Sequence, residues 1–375
     1  MDILKSNSKK PDQPLHNKIE GKAVIFKGYG QPFEMLNKKV PQLQEGEILV
    51  KTLYTTICGS DIHTYCGRRS EPSPVVLGHE IVGEIIEIEA KHQGTDQRGH
   101  KIAPGDRVVW SIFAAPRKSI PPRPDMPQKS ENLFKYGHVL AHEQDVFNGG
   151  LAEYCILKDN TAIIKISDDM PLKVAATISC AHATVMGALR IAELIRMRRV
   201  LIFGAGLLGI TCIAMCREAG ACWIGIVDRE QDRLKWSIAF GADESFAISE
   251  ENYTKKNQWP PVDLVFDMTG NPDIMRLGLE TLQVGGIAVW IGAVYKEQPV
   301  KVDGQLVVRN IIQIRGLHNY NYVDFLNAAR FMEMHWRKYP YEQLIEGEFP
   351  LHAVDAAFEF ADNVKPVRVG IKMGT

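Results

Sequence analysis

The run RRVLIFGAGLLGITCIAMCREAG, from Arg198 to Gly220, constrains the fold more than any other part of the chain. The apolar stretch VLIF reads as a strand, and it leads directly into Gly204, Gly206 and Gly209. The residues that follow have helical spacing. Asp228 closes the next short apolar run, WIGIVD, 19 residues beyond Gly209. A G-x-G-x-x-G turn between strand and helix, with an acid at the end of the next strand, is the pattern that holds a dinucleotide. Gly204 permits the tight turn, Gly206 lets the backbone approach a pyrophosphate, and Gly209 lets the helix pack closely on the strand. Leu207 and Leu208 open the helix, whose free N–H groups and positive dipole end suit phosphates. Asp228 can accept hydrogen bonds from ribose hydroxyls and repels a 2′-phosphate, which favours NAD over NADP. Arg229 and Arg233 pull the other way, because an arginine can accommodate a 2′-phosphate.

Around this motif the chain changes its grammar. Before about Ser167 it is rich in short β-like runs such as KAVIFKGYGQPFEML, GEILVKTLYTT and GGLAEYCILK. IVGEIIEIEA, from Ile81 to Ala90, alternates apolar and polar residues as a half-buried strand does. After Ser167 strands alternate with helices, which means βαβ units and a parallel sheet. The stretch from Met170 to Ile195 reads as helical, as does DREQDRLKWSIAFGAD up to Gly241. The fold class expected is therefore α/β. At 375 residues the chain is too long for one ordinary core and suggests two domains.

Composition narrows the function classes. The formal net charge is −1, and no Lys/Arg block is dense enough for nucleic acid. No apolar run reaches transmembrane length, so no membrane partner is expected. The polar N-terminus MDILKSNSKKPDQPLHNK lacks the apolar core of a secretory signal and reads as a loose tail, residues 1–18. Seven cysteines scattered along the chain suit reduced thiols in the cytoplasm rather than a disulfide framework.

Two of those cysteines and two histidines stand out. ICGSDIH places Cys58, Ser60, Asp61 and His63 in one loop, VLGHEIVGE puts His79 and Glu80 just before a strand, and Cys180 lies in TISCAHAT. Catalytic zinc takes three protein ligands and keeps a fourth position open, and Cys58, His79 and Cys180 would make such a set. They are far apart in sequence, so spacing alone does not single them out. Cys66, Cys155, Cys212, Cys216 and Cys222 read as small buried hydrophobes, with Cys212 and Cys216 on one helix face.

The motifs CGSD, GHEIVGE, PGDRV, GGLAEY, SCAHAT and GAGLLG, in this order and with Asp228, are those of a known family. From about residue 20 the chain resembles the zinc-dependent medium-chain alcohol dehydrogenases. The resemblance implies a GroES-like β-rich catalytic domain, residues 19–181 and 319–375, around a Rossmann NAD-binding domain, residues 182–318. It implies that Cys58, His79 and Cys180 bind the catalytic zinc, with Glu80 behind the metal. Asp61 would orient the zinc-bound histidine. Ser60 matches the hydroxyl that takes the alcohol proton and His63 the relay histidine. Thr184 matches a threonine near the nicotinamide, and Arg368 an arginine near the pyrophosphate. A homodimer or homotetramer is implied, with Rossmann domains paired edge to edge.

One stretch departs from the family. AAPRKSIPPRPDMPQKS, from Ala114 to Ser130, is stiff and basic, and proline excludes both a long helix and a central strand. Many members carry a second zinc there in a C-x₂-C-x₂-C-x₇-C lobe. Here that frame falls on Pro116, Ser119, Pro122 and Ser130, so a lobe without metal is expected, more mobile or held by a partner subunit. His138 and His142 lie downstream, with no four-ligand set around them. CGRRSEPSPVVLGHE is similar to a subgroup associated with phosphonate catabolism, and Arg68 and Arg69 could pair with an anionic substrate or simply face solvent. The function expected is hydride transfer between a small-molecule alcohol and NAD, giving an aldehyde or ketone. The competing readings are a zinc-free quinone or enone reductase and a non-catalytic nucleotide-binding protein on the same fold.

Overall fold

The structure is a computed structural model that describes residues 19–117, 123–142, 145–252 and 258–374. The tail 1–18 and two positions of the altered lobe, Ser119 and Pro122, lie outside the described residues.

The first part of the chain forms β1 (Glu20–Ile25), β2 (Glu34–Lys39), β3 (Ile48–Ile57), α1 (Gly59–Tyr65), β4 (Glu80–Ile88), β5 (Arg107–Ala114), β6 (Phe134–Lys135), β7 (Tyr154–Leu157) and β8 (Thr161–Lys165). The middle forms α2 (Leu172–Ala175), α3 (Ala181–Ala192), β9 (Arg199–Phe203), α4 (Leu207–Glu218), β10 (Trp223–Asp228), α5 (Gln231–Leu234), β11 (Glu244–Ala247), β12 (Val262–Asp267), α6 (Pro272–Thr281), β13 (Leu282–Trp290), α7 (Gly304–Arg309) and β14 (Gln313–Gly316). The chain closes with α8 (Tyr322–His335), β15 (Ile345–Pro350), α9 (Val354–Val364) and β16 (Arg368–Lys372).

The middle segment builds a six-stranded parallel sheet in the order β11-β10-β9-β12-β13-β14. Its central strands RVLIF, WIGIVD and VDLVFD are buried almost throughout, as a sheet covered by helices on both faces requires. The order reverses between β9 and β12. In a doubly wound sheet the crevice for ligands lies at that point, beyond the carboxyl ends of the strands.

The second sheet has eight strands and draws on both ends of the chain. Its path runs β15-β16-β3-β4-β5-β6, with β7 on β3 and β8 on β5. Residue Ile57 pairs with Val369, so the C-terminal strand β16 lies beside the strand that leads to Cys58. Ile48, Val50, Ile85, Val108, Trp110 and Ile163 fill the interior of this β-rich part. A larger cluster joins Tyr54, Val109 and Phe113 to Ile178, Val185, Ile210 and Phe325, and so fuses the two sheets through α3, α4 and α8.

Three local expectations need correction. The first four residues of β4 are all buried, Glu80 included, and only its second half is partly exposed. The strand does not alternate there because it enters the packed junction between the two sheets. The helix expected from Asp228 to Gly241 is a four-residue turn of α5 and a 3₁₀ turn, Ile238–Phe240, ending at Gly241 with φ of 100°. Among the cysteines read as buried, Cys222 is exposed and Cys66 is half-buried, whereas Cys155, Cys212 and Cys216 are in the core. Cys212 and Cys216 do share a face, with their sulphurs 3.8 Å apart.

Candidate metal centre and dinucleotide cleft

Three chain breaks bring the sulphur and nitrogen donors together. Cys58 is not in a loop but at the N-cap of α1, with an extended backbone. Asp61 makes that turn possible, because its Oδ2 accepts the Cys58 N–H at 2.9 Å. His79 follows Gly78, whose φ of 91° turns the chain into β4. Cys180 sits between the 3₁₀ turn Ala176–Ser179 and α3, where the two helical segments bend by 48°. The ligand atoms of Cys58, His79 and Cys180 all lie within 4.8 Å of one another.

The groups around this triad hold it in place. Asp61 Oδ1 is 3.4 Å from His79 Nδ1, and the Ser60 hydroxyl is 3.4 Å from His79 Nε2. Behind the triad, fully buried Glu80 accepts from the Thr56 hydroxyl and, at 2.9 Å, from Arg368 Nη2. The same Nη2 donates to Cys58 Sγ at 3.7 Å. A hydrogen bond from the Cys180 thiol holds the Cys58 thiol well below the ordinary range, and the charges of Arg368 and His79 act in the same direction. Burial pushes Glu80 up to about 7, against the pull of Arg368. Two sulphurs and an imidazole, one sulphur already favoured as thiolate, are a donor set for a borderline-soft divalent ion. Tetrahedral arms of about 2.0–2.3 Å place zinc ligands about 3.3–3.8 Å apart, which the observed limit accommodates. Three protein donors would leave a bound zinc one position for a further ligand.

The glycine turn lies across the same cleft. Gly204 has φ of 101°, a region that an L side chain avoids. A Cβ on Gly209 would stand 1.8 Å from the Gly204 carbonyl oxygen, so only glycine lets α4 approach β9 this closely. A Cβ on Gly206 would meet nothing within 4 Å, because Gly206 faces open cleft. Asp228 Oδ2 accepts from Ala205 N on this turn, and its Oδ1 accepts locally from Glu230 N at 2.8 Å. Arg229 pairs with Glu250 at 3.3 Å. Arg233 Nε donates to the Lys365 carbonyl at 2.8 Å, and its Nη2 to Pro366.

Together these parts line a cleft of about 530 Å³. Cys58, Ser60, His63, His79, Cys180, Thr184, Gly204, Gly206, Leu207, Leu208, Gly209, Asp228, Arg233 and Arg368 all line it. Asp61 and Glu80 stand behind its wall. Arg368 faces the back of the triad through Glu80 and Cys58. His63 is half-buried on the cleft wall, with Nδ1 accepting from Arg68 Nε at 3.0 Å and its ring 4.4 Å from that of Tyr295. Burial, and then the charge of Arg68, lower His63 to about 4, so its ring is neutral at physiological pH.

Sequence reading missed several lining residues. Thr269 and Asn271 follow β12, the strand across the switch point, and the run FDMTGN at its end was an available signal. Lys135, His318 and Asn319 also line the cleft, and no motif marks them. Of the altered lobe, Pro116 is exposed and Ser130 is buried. Arg117 ties the start of the lobe to Asp159, and Asn321 Nδ2 donates to the Asp125 carbonyl at 3.3 Å.

Comparison with known proteins agrees with this architecture. Residues 44–168 match the alcohol dehydrogenase GroES-like domain, and residues 208–334 match the zinc-binding dehydrogenase family. The chain is 28% identical over 299 residues to an L-threonine 3-dehydrogenase of Protochlamydia amoebophila, covering 76% of this chain and 80% of that protein. It is 25% identical over 338 residues to a D-arabitol-phosphate dehydrogenase of Enterococcus avium, covering 86% and 91%. The crystal structure of an alcohol dehydrogenase from Thermotoga maritima superposes with a TM-score of 0.84 at 23% identity, over 95% of this chain and all of that one.

Proposed function

Because the chain belongs to the zinc-dependent medium-chain dehydrogenase superfamily, we propose that it oxidises a secondary alcohol of a small polar molecule with NAD, giving the ketone, and reduces it in reverse. The observation that carries this reading is the convergence of the Cys58, His79 and Cys180 donors with the glycine turn on one cleft at the switch point of the sheet.

When bound, zinc supplies a Lewis acid that makes a hydroxyl more acidic, and the nicotinamide ring accepts the carbinol hydride with its electron pair. The protein handles the other product, the hydroxyl proton. Ser60 Oγ, beside His79 Nε2, accepts it while giving up its own hydrogen, which goes to His63 and from there to solvent. His63 is neutral, with Nδ1 accepting from Arg68 and Nε2 carrying the ring hydrogen, so it takes up the proton at Nδ1 when the Arg68 contact opens and releases the Nε2 hydrogen to solvent. Asp61 holds His79 in orientation, and Glu80 with Arg368 fixes Cys58 from behind. Thr184 positions the nicotinamide end of the cofactor. Alcohol and NAD⁺ thus give carbonyl compound, NADH and one proton.

NAD is favoured by the Asp228 carboxylate at the end of β10, while Arg229 and Arg233 are engaged by Glu250 and by the Lys365 and Pro366 carbonyls. The relatives named for L-threonine and D-arabitol phosphate support a hydroxyl on a polar carbon chain. A homodimer is also part of this proposal, formed through the open edge of the parallel sheet at β14.

The test is elemental mass spectrometry on protein purified without added metal, followed by an alcohol panel with NAD and NADP. About one zinc per subunit is expected, lost together with turnover in Cys58→Ala, and kcat/KM at least tenfold higher with NAD. Protein that takes up no zinc on reconstitution, or that holds zinc and oxidises nothing, would contradict the proposal.

A further inference from the structure

Beyond the metal triad the cleft ends in a cationic group that the chemistry above does not use. Arg69, Lys135, His138, His318 and Asn319 line this end. They come from three separate segments: the turn after α1, the region of β6, and the connection after β14. The His138 ring stands 4.9 Å from the His79 ring, so the group is continuous with the triad. Lys135 Nζ donates to Asn319 Oδ1 at 2.8 Å. Lys129 Nζ, from the altered lobe, meets His318 Nδ1 at 2.5 Å.

The charges do not cancel. Arg69 pairs with Glu71 at 2.6 Å, and Glu71 also holds His138 Nδ1 at 3.1 Å. Among the described residues, neither Lys129 nor Lys135 forms an ion pair with a carboxylate; their side-chain contacts are His318 and Asn319. Three cations against the one carboxylate of Glu71 leave a surplus of about two positive charges on this count of described groups. Burial lowers Lys135 to about 8, and the charges of Arg69 and Lys129 add to that. Burial likewise lowers His318 to about 4, with Lys135, Lys129 and Arg69 acting in the same direction. Holding like charges together against a partly desolvated wall costs free energy, and a bound anion offsets that cost.

We infer that this end of the cleft binds the phosphate group of a short phosphorylated alcohol whose carbinol reaches the Cys58–His79–Cys180 triad. The inference rests on the oxidoreductase reading of the cleft and names its substrate class. A phosphate dianion matches the surplus charge, where a carboxylate would neutralise half of it. Donors converging from three segments also suit a tetrahedral group more than a planar one. The lobe between Ala114 and Ser130, which lacks the four thiolates, thereby acquires a use: it carries Lys129 to His318 at the rim of the cleft.

Two measurements on the zinc-loaded protein with saturating NAD test this. The first compares kcat/KM for matched pairs, propane-1,2-diol with its 1-phosphate and glycerol with glycerol 3-phosphate. The phosphorylated member is expected to be at least tenfold better. That ratio should fall at least tenfold in Lys135→Gln and in Arg69→Gln, and recover in Lys135→Arg, with zinc content as in the parent. The second is calorimetric titration with inorganic phosphate, which needs no turnover. Binding should weaken at least tenfold in Lys135→Gln and Arg69→Gln. Equal use of both members of each pair, or phosphate binding indifferent to both variants, overturns the inference. If no alcohol is oxidised while phosphate binding depends on Lys135, the anion site stands and the redox reading is what fails.

Discussion

Glycine positions in the turn after β9 have different jobs, and substitution separates them. At Gly209 a Cβ would collide with the Gly204 carbonyl oxygen, and neither backbone can yield without parting α4 from β9. Gly209→Ala is expected to cost about 1–3 kcal/mol, the usual range for overpacking, or more. Thermal unfolding should show this as a lowered melting temperature. At Gly206 a Cβ meets no protein atom within 4 Å. Gly206→Ala should therefore melt as the parent does and keep its zinc, yet lose at least tenfold in NADH affinity by fluorescence titration. Melting that falls equally in both variants would show that Gly206 serves packing and not the cofactor. The three glycines and Asp228 were legible in the sequence because one strand, one turn and one helix contain them. What the carboxylate of Asp228 does was not legible, since its contact with Ala205 depends on how β10 lies beside β9.

Elements show where local reading stops. Read along the chain, CGSDIH looked like a loop, because a seven-residue helix capped by Cys58 and Asp61 is too short to display a period. Cys180 lies inside a stretch that reads as continuously helical, and the break there is what turns its sulphur toward His79. The turn after β12 is held by Asp267, which is fully buried and accepts from Thr269 Oγ1 at 2.6 Å and from Gly270 N at 2.9 Å. Burial raises Asp267 to about 6 despite those bonds. The folded value therefore lies above the unfolded value of about 3.9. The stabilisation this group contributes is complete below the unfolded value and is lost as pH rises through about 6. Asp267→Asn keeps one acceptor and carries no charge. Its stability relative to the parent should rise from pH 4 to pH 7 in urea unfolding. A constant difference across that range would mean that Asp267 ionises in the folded protein as freely as in the unfolded one.

At the scale of the whole molecule, the two large sheets are joined by one core cluster, with the cleft where they meet. The edge strand β14 has a partner on one side only. Near it Val308, Ile311 and Val284 are each at least two-thirds exposed. An open edge with apolar side chains favours pairing with a second copy. Ile311→Lys together with Val308→Lys should convert a dimer to a monomer in sedimentation velocity, with the zinc content unchanged; a species of unaltered mass would place self-association elsewhere. The sequence by itself determined what short-range order can encode: the α/β grammar, the glycine turn, the acid at the end of β10, and the donor types Cys58, His79 and Cys180. Only the tertiary structure decided which of those donors meet, that Arg368 backs Glu80 and Cys58, and that Arg69, Lys129, Lys135 and His318 gather at one end of the cleft. The physical reason is range. Periodicity and turn chemistry act over a few residues, whereas these side chains arrive from opposite ends of the chain once burial of apolar surface has joined the two sheets.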